Sequence, residues 1–314
     1  MKYKEFIEEV KQHIKEYLPE EWQTAEVMIQ NEPKNNGINR YGIVLQKPGA
    51  SLAPLLSLKE FYQLYSNGGV SMEETLGKIG KEYLEALRSA PDFGTQDFSY
   101  ENMRSRLILC AVNAEKNKEL LASIPHQKVE DLAIVYRCIM TEGGDRIGTA
   151  LVNNNHLKYW GIGADVLHEH AKNNMKEIFP YELHSMDYIL SDMVGISFEE
   201  GRDNMENSLM FVLSNNRKWQ GASYLFCPEV LEAVSKELGG SFLILPSSIH
   251  ELILIRQSED SNIQALRDMV CEVNQTQVTP EERLSNEIYQ YDAEARKMSM
   301  VSDGGIQQGM HLEM

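Results

Sequence analysis

A chain of 314 residues is long enough for two domains or one large one, and 42% apolar residues suits a globular protein with a sizeable core. Asp and Glu outnumber Lys and Arg by 47 to 30, a formal charge of -17. That balance argues against nucleic acid, whose phosphates need clustered cations, and against an anionic membrane surface.

The charged opening, MKYKEFIEEVKQHIKEYL, has no apolar run of the kind a signal peptide carries. No stretch approaches the roughly 18 apolar residues that span a bilayer. Residues 2–18 read instead as an amphipathic helix, with Phe6, Ile7, Val10, Ile14 and Tyr17 at helical spacing and Pro19 ending it. Thr24–Gln30 and Ile38–Gln46 read as strands joined through Asn36-Gly37, with Pro48-Gly49 stopping the second. A helix over Leu58–Tyr65 follows. Ser71 and Glu74 then form a capping-box pattern opening a helix to about Arg88, whose apolar stripe is Met72, Leu76, Ile79, Tyr83 and Leu87.

Ser89–Ser99 is the expected linker. Beyond it, Met103–Val112 and Leu132–Met140 read as buried strands, Asn117–Ser123 as a short helix or turn, and Ile147–Val152 as the return of a hairpin through Thr141–Asp145. Helices are expected over His156–Trp160, Ala164–Asn173 and Ser185–Met193, and an exposed loop over Gly195–Asn207. Leu209–Leu213 and Ala222–Phe226 read as strands. Pro228 opens a helix that ends at Gly239-Gly240. The stretch SFLILPSSIHELILIR, Ser241–Arg256, reads as two apolar strands meeting at Pro246-Ser247-Ser248. Asp260–Asn274 and Thr279–Ile288 read as helices, and Tyr289–Asp292 as a short aromatic strand or turn that packs back on the core. Periodicity is lost beyond Asp292.

Strand pairs and helices thus alternate without a strict strand–helix–strand rhythm, which gives an α+β fold with antiparallel or mixed sheets. The organisation expected is an N-terminal helix–hairpin–helix region over 1–90, an α+β domain over 100–292, and a disordered tail over 293–314. Cys110, Cys138, Cys227 and Cys271 lie far apart with no Cys-x-x-Cys pair. They read as free thiols in a reducing cytoplasm and not as a zinc ribbon.

Several phrases of the chain are familiar together. They are Asn35-Asn36-Gly37-Ile38, Asp131 to Tyr136, Trp160-Gly161-Ile162, Phe211 to Asn215, Gly221-Ala222, Leu245 to Glu251, and Leu284 to Tyr289. In that order they resemble a bacterial family catalogued as DUF5688, a domain of unknown function, over nearly the whole chain to about Asp292. More distantly, Asp131–Tyr136, Leu167-His168-Glu169, Gly221-Ala222-Ser223 and Pro246 look like a second bacterial family. The resemblance implies a cytoplasmic bacterial protein and brings no activity or site residue with it.

The residues that could carry chemistry are few. On a strand, His250 and Glu251 would face opposite sides of a sheet. Buried there, the carboxylate would cost several kcal/mol unless paired or protonated. His250 beside Ser247 or Ser248 could act as a general base for a nucleophile; the plainer reading is a turn held by hydrogen bonds. No Gly-x-Ser-x-Gly elbow supports the first. His168-Glu169-His170 has the wrong helical spacing for one metal ion, because i and i+2 do not share a face. Arg137, in an apolar strand, needs an anion or a structural acid such as Asp131, Glu142 or Glu251. Asn153-Asn154-Asn155 reads as a helix cap.

The expectation is therefore a cytoplasmic binding or interaction protein without catalytic activity, with another protein or a small ligand as partner, and no cofactor, metal, nucleic acid or membrane. The alternative is a hydrolase-like enzyme using His250 with Ser247 or Ser248, with Glu251 or Arg137 nearby.

Overall fold

The structure, a computed structural model, describes residues 1–33, 35–48, 53–89, 98–143, 146–193, 205–257 and 262–302. Parts of the expected linker (90–97), of the turn at Thr141–Asp145 (144–145), of the loop over Gly195–Asn207 (195–204) and of the tail (303–314) lie outside the described residues, as does Gly49. Two compact units emerge: one comprises 1–106 and 138–150, the other 107–137 and 151–314.

In the first unit, helix α1 (Tyr3–His13) buries Phe6, Ile7 and Val10 and passes into a 3-10 turn at Ile14–Tyr17 before Pro19. Strands β1 (Glu26–Pro33) and β2 (Asn39–Gln46) pair antiparallel from Glu26↔Gln46 to Pro33↔Asn39. Asn36 and Gly37 both take positive φ at the corner, which is why this dipeptide suits it. A short β3 (Leu56–Ser57) pairs with β2. Helices α2 (Lys59–Ser66) and α3 (Met72–Ser89) follow. The capping box forms as read: Ser71 N–H donates to Glu74 at 2.8 Å, and Glu74 N–H to Ser71 Oγ at 3.2 Å. Leu76, Ile79 and Tyr83 of α3 join Phe6, Val10, Ile14, Ile43, Leu45 and Phe61 in one core. The Tyr83 hydroxyl accepts Leu45 N–H at 2.8 Å and lies 3.0 Å from the Pro54 carbonyl; burial pushes this phenol up to about 12. Helix α4 (Tyr100–Met103) precedes the second unit.

The second unit starts with β4 (Leu107–Asn113), buried at every position. After α5 (Lys118–Leu121) come β5 (His126–Val129) and β6 (Leu132–Gly143), an antiparallel hairpin whose loop is Glu130-Asp131, with Glu130 at φ 58°. β6 lies between β4 and β5; its end from Cys138 belongs to the first unit, as does nearly all of strand β7 (Arg146–Leu151), which pairs with it. Helix α6 (Asn154–Trp160) is capped by Asn153, whose Oδ1 accepts from Asn155 and His156 N–H, and ends at Gly161 with φ 66°. Then come α7 (Ala164–Ile178), β8 (Tyr181–Ser185), α8 (Met186–Met193) and β9 (Met210–Asn215).

Ala222–Phe226 is not a strand. Gly221–Phe226 winds as a 3-10 turn because its amides are claimed elsewhere: Gly221 N–H goes to His250 O at 3.0 Å and Ala222 N–H to Ile249 O at 3.2 Å. Helix α9 (Pro228–Leu238) starts at its proline and stops at Gly239, φ 81°. Strands β10 (Phe242–Leu245) and β11 (Leu252–Arg256) form the expected hairpin, with Leu245 opposite Ile253. The join is longer than the Pro-Ser-Ser corner expected, since β11 begins only at Leu252 and Ile249–Glu251 stay outside it. Helix α10 (Ile263–Thr276), capped by Asn262, lays Val270, Ile263 and Leu266 on Leu243 and Leu245.

Thr279–Ile288 is not a helix either. A single turn, with Glu282 and Arg283 N–H on Thr279 O at 2.9 and 3.2 Å, gives way to extended chain beside the 246–249 loop, where Leu284 N–H reaches Ser247 O at 3.0 Å and Ser285 N–H reaches Pro246 O at 2.9 Å. Those loop carbonyls have no ladder partner, and satisfying them outweighs local helix preference. Strand β12 (Tyr289–Asp292) packs on the core as read, pairing with β10. The chain then turns into β13 (Lys297–Met300), paired with β12. The resulting sheet has the order β13-β12-β10-β11-β9-β8. The fold is α+β with antiparallel sheets.

Candidate functional site

His250 sits in the loop before β11, not on a strand, so the opposite-face argument for His250 and Glu251 does not apply. Glu251 is exposed, and the burial cost foreseen for its carboxylate does not arise. The acid that faces the imidazole is Glu282, with Oε1 at 3.4 Å from Nε2; the side chains are 27% and 41% exposed. Nδ1 accepts the backbone N–H of Gln220 at 3.3 Å. With Nδ1 engaged by that amide, Nε2 is the ring nitrogen that faces Glu282.

The loop itself is pinned by its neighbours. The His250 carbonyl accepts from Ser214 Oγ at 2.8 Å and from Gly221 N–H at 3.0 Å. Gly221 permits this approach: a Cβ there would stand 2.5 Å from that carbonyl oxygen and 2.7 Å from Ser214 Oγ. Gln220 takes φ 55°, the left-handed region, and Lys218 before it φ 49°. The buried Asn215 side chain holds this corner, accepting from Arg217 and Trp219 N–H and donating to Trp219 O at 2.7 Å. Gln220 is buried, and its Oε1 has no hydrogen-bond partner.

The two serines are part of the turn. Ser248 Oγ accepts the His250 backbone N–H at 3.0 Å. Ser247 and Ser248 are buried, and the Ser247 carbonyl holds Leu284. Among the described residues no hydroxyl is hydrogen-bonded to the His250 ring. Arg137 stands in β6 near Cys110, whose thiol is pushed up to about 12 by burial, with the Arg137 charge acting against that rise. Asp131, one acid considered for Arg137, carries a hydrogen-bond cluster of its own.

That cluster was not foreseen. Asp131 Oδ2 accepts from Ser285 Oγ at 2.7 Å and from Asn113 Nδ2 at 3.4 Å; Oδ1 accepts from Tyr289 Oη. Asn113 Nδ2 also donates to Leu284 O at 3.0 Å. Burial first, then the hydrogen bond and charge of Asp131, drive the Tyr289 phenol up, so it stays a donor. The only sequence signal was indirect: the phrases Asp131–Tyr136 and Leu284–Tyr289 both belonged to the resemblance, and they meet here.

His168 and His170 lie on α7, two residues apart as expected of a helix. His168 Nδ1 is 3.2 Å from the hydroxyl of buried Tyr136. Burial lowers the His168 imidazole and pushes the Tyr136 phenol up to about 12. Among the described residues no group of three His, Cys, Asp or Glu is placed to hold a metal ion, and no helix is long and apolar enough to cross a membrane. All four cysteines are free; Cys110, Cys138 and Cys227 are buried.

Most of the phrases that carried the resemblance thus pack on one another: Asp131 on Ser285 and Tyr289, Pro246 and Ser247 on Leu284 and Ser285, His250 on Ser214 and Gly221. No curated protein and no solved structure matches the chain. The model of the family described as a family of unknown function, DUF5688, matches residues 3–293, and the chain belongs to that family.

Proposed function

We propose that the chain is a binding or interaction protein without catalytic activity, working in the bacterial cytoplasm with another protein or a small ligand as partner. The carrying observation is the state of the His250 ring. A general base needs a free ring nitrogen within reach of the proton it takes. Nδ1 is occupied by the Gln220 amide and Nε2 faces Glu282 at 3.4 Å, while the Ser248 hydroxyl is engaged with the loop backbone. The cluster is organised to hold a loop. Four free cysteines fit a reducing compartment.

The second reading, a hydrolase using His250 with Ser247 or Ser248, draws on the partial exposure of the His250–Glu282 pair. The two readings part in a turnover screen against activated esters, amides and phosphoesters. The binding reading expects wild type and His250→Asn to give the same background rate. Turnover by wild type that disappears in both His250→Asn and Ser248→Ala, with circular dichroism unchanged, makes the chain an enzyme.

A further inference from the structure

Tyr136 stands in the middle of the apolar run of β6 and is fully buried. A hydroxyl so placed needs a partner, because an unsatisfied one loses its bond to water without return. Among the described residues its Oη has a single hydrogen-bond partner, Nδ1 of His168 on α7, at 3.2 Å. The two rings meet edge to face, with centroids 6.1 Å apart and planes at 89°. His168 itself is only part-buried, so water can deliver a proton to it.

Helix α7 is anchored unevenly. Its later turns bury Ala171 and Met175, Asn174 Nδ2 donates to Leu107 O of β4 at 2.9 Å, and Lys176 reaches Glu229 of α9 at 3.5 Å. Its start has no side-chain cap, since the capping residue is Gly163. Ala164, Asp165 and Val166 are exposed; Leu167 is buried, and His168 bonds Tyr136. The corner just ahead is Gly161-Ile162-Gly163, with Gly161 at φ 66°. A Cβ at either glycine would meet nothing within 4 Å. Close packing does not require these glycines; what they supply is backbone freedom, at the end of an element where hinges lie.

We propose that the His168–Tyr136 bond is a pH-operated latch: a neutral imidazole keeps the start of α7 on β6, and a proton on His168 lets that end swing out about Gly161-Ile162-Gly163. A neutral ring can accept the phenol hydrogen on Nδ1, whereas a protonated ring has only donors. The phenol would then have to turn its hydrogen away, with no second acceptor among the described residues. The groups that bear on the ring's charge are mixed. On α7, Asp165 and Glu169 favour the proton and Lys172 opposes it. Lys172 is itself held by Glu169 at 3.1 Å and by Glu229 of α9 at 3.9 Å. β6 brings Tyr136, and β4 brings no charged side chain, its one titratable group being the Cys110 thiol. Burial is the largest influence and holds the imidazole below its ordinary value. A group held low contributes stability that is whole above its unfolded value, about 6.5, and shrinks as the pH falls below it. The latch is therefore closed at neutral pH and opens in mild acid. It does not depend on the reading of the His250 loop.

The test uses the full chain. Titration of the His168 ring by NMR is expected to give a midpoint below about 6.5 in wild type. The midpoint should move up in Tyr136→Phe, which removes the hydroxyl that favours the neutral ring; burial alone would leave it where it was. Amide hydrogen exchange, corrected for its intrinsic pH dependence, is expected to speed up about tenfold at residues 167–171 between about pH 7.5 and about pH 5.5. Residues 172–178 and β4 should keep their protection, and His168→Gln should abolish the difference. A wild-type midpoint at or above about 6.5 overturns the inference, as does a midpoint unmoved by Tyr136→Phe. So does exchange that rises in acid equally in His168→Gln, or equally along β4. Should Tyr136→Phe fail to fold, the wild-type midpoint and the His168→Gln exchange decide the matter.

Discussion

Around Asp131 the second unit gathers a tyrosine, a serine and an asparagine onto one carboxylate; around His250 it rests an imidazole between a backbone amide and a half-exposed acid. Both clusters fasten the same stretch of chain, residues 282–289, to the sheets. The first uses donors that are buried, with Asn113, Ser285 and Tyr289 at 6%, 2% and 0% exposure. The second leaves its carboxylate contact in reach of water. Buried donors without a partner pay their full desolvation penalty, whereas a solvated ion pair is worth little. The Asp131 cluster is therefore where stability resides, and the His250 cluster is where the chain could change at small cost.

The sharpest way to break this comparison is Asp131→Ala. It orphans the Ser285 and Tyr289 hydroxyls at once and is expected to cost about 2–5 kcal/mol, read as a lower urea midpoint. A loss no greater than that of a surface substitution would make the two clusters equivalent. Gly221→Ala is next. The added methyl would overlap the His250 carbonyl and Ser214, with an expected penalty of about 1–3 kcal/mol. Proton exchange should then rise at the Gln220 and Gly221 amides first; protection there unchanged from wild type would show that the loop yields elsewhere.

The smallest effects come from dividing the His250 ring. His250→Asn places an oxygen near the old Nδ1 and keeps the Gln220 contact; His250→Gln keeps only the reach toward Glu282. Each should cost about 1 kcal/mol or less, with Asn the milder in thermal melts. Gln milder than Asn would mean that the Glu282 contact, not the amide contact, holds the loop.

Where structure follows from neighbouring residues, the sequence was enough. Ser71 with Glu74, Asn153, Asn36-Gly37 and Pro228 with Gly239 all act at the positions read for them, since caps and corners are settled within a few residues. The α+β class was legible for the same reason. The failures have a common cause. Ala222–Phe226 has the composition of a strand, yet its leading amides are taken by Ile249 and His250. Thr279–Ile288 has a helix start and makes one turn there, yet the amides of Leu284 and Ser285 go to Ser247 and Pro246 and the helix does not continue. Strands β5 and β8 escaped notice because their residues are nearly all part-exposed and lack clean alternation. His250, Ser247 and Ser248 were found as a phrase, but Glu282 and Gln220 lie about thirty residues away on either side, and Asp131 meets residues more than a hundred and fifty positions distant. No periodicity encodes such meetings.

Strand β12 carries a last consequence. It is the inner neighbour of β10, yet it leaves the ribosome only after β11 and α10. Until it arrives, β10 offers Phe242, Leu243 and Ile244 along an open margin, and Asp131 waits without Tyr289 and Ser285. Vectorial synthesis thus imposes an interval in which β10 and β11 exist but their sheet cannot close, and exposed apolar margins of that kind are what makes folding intermediates prone to aggregate.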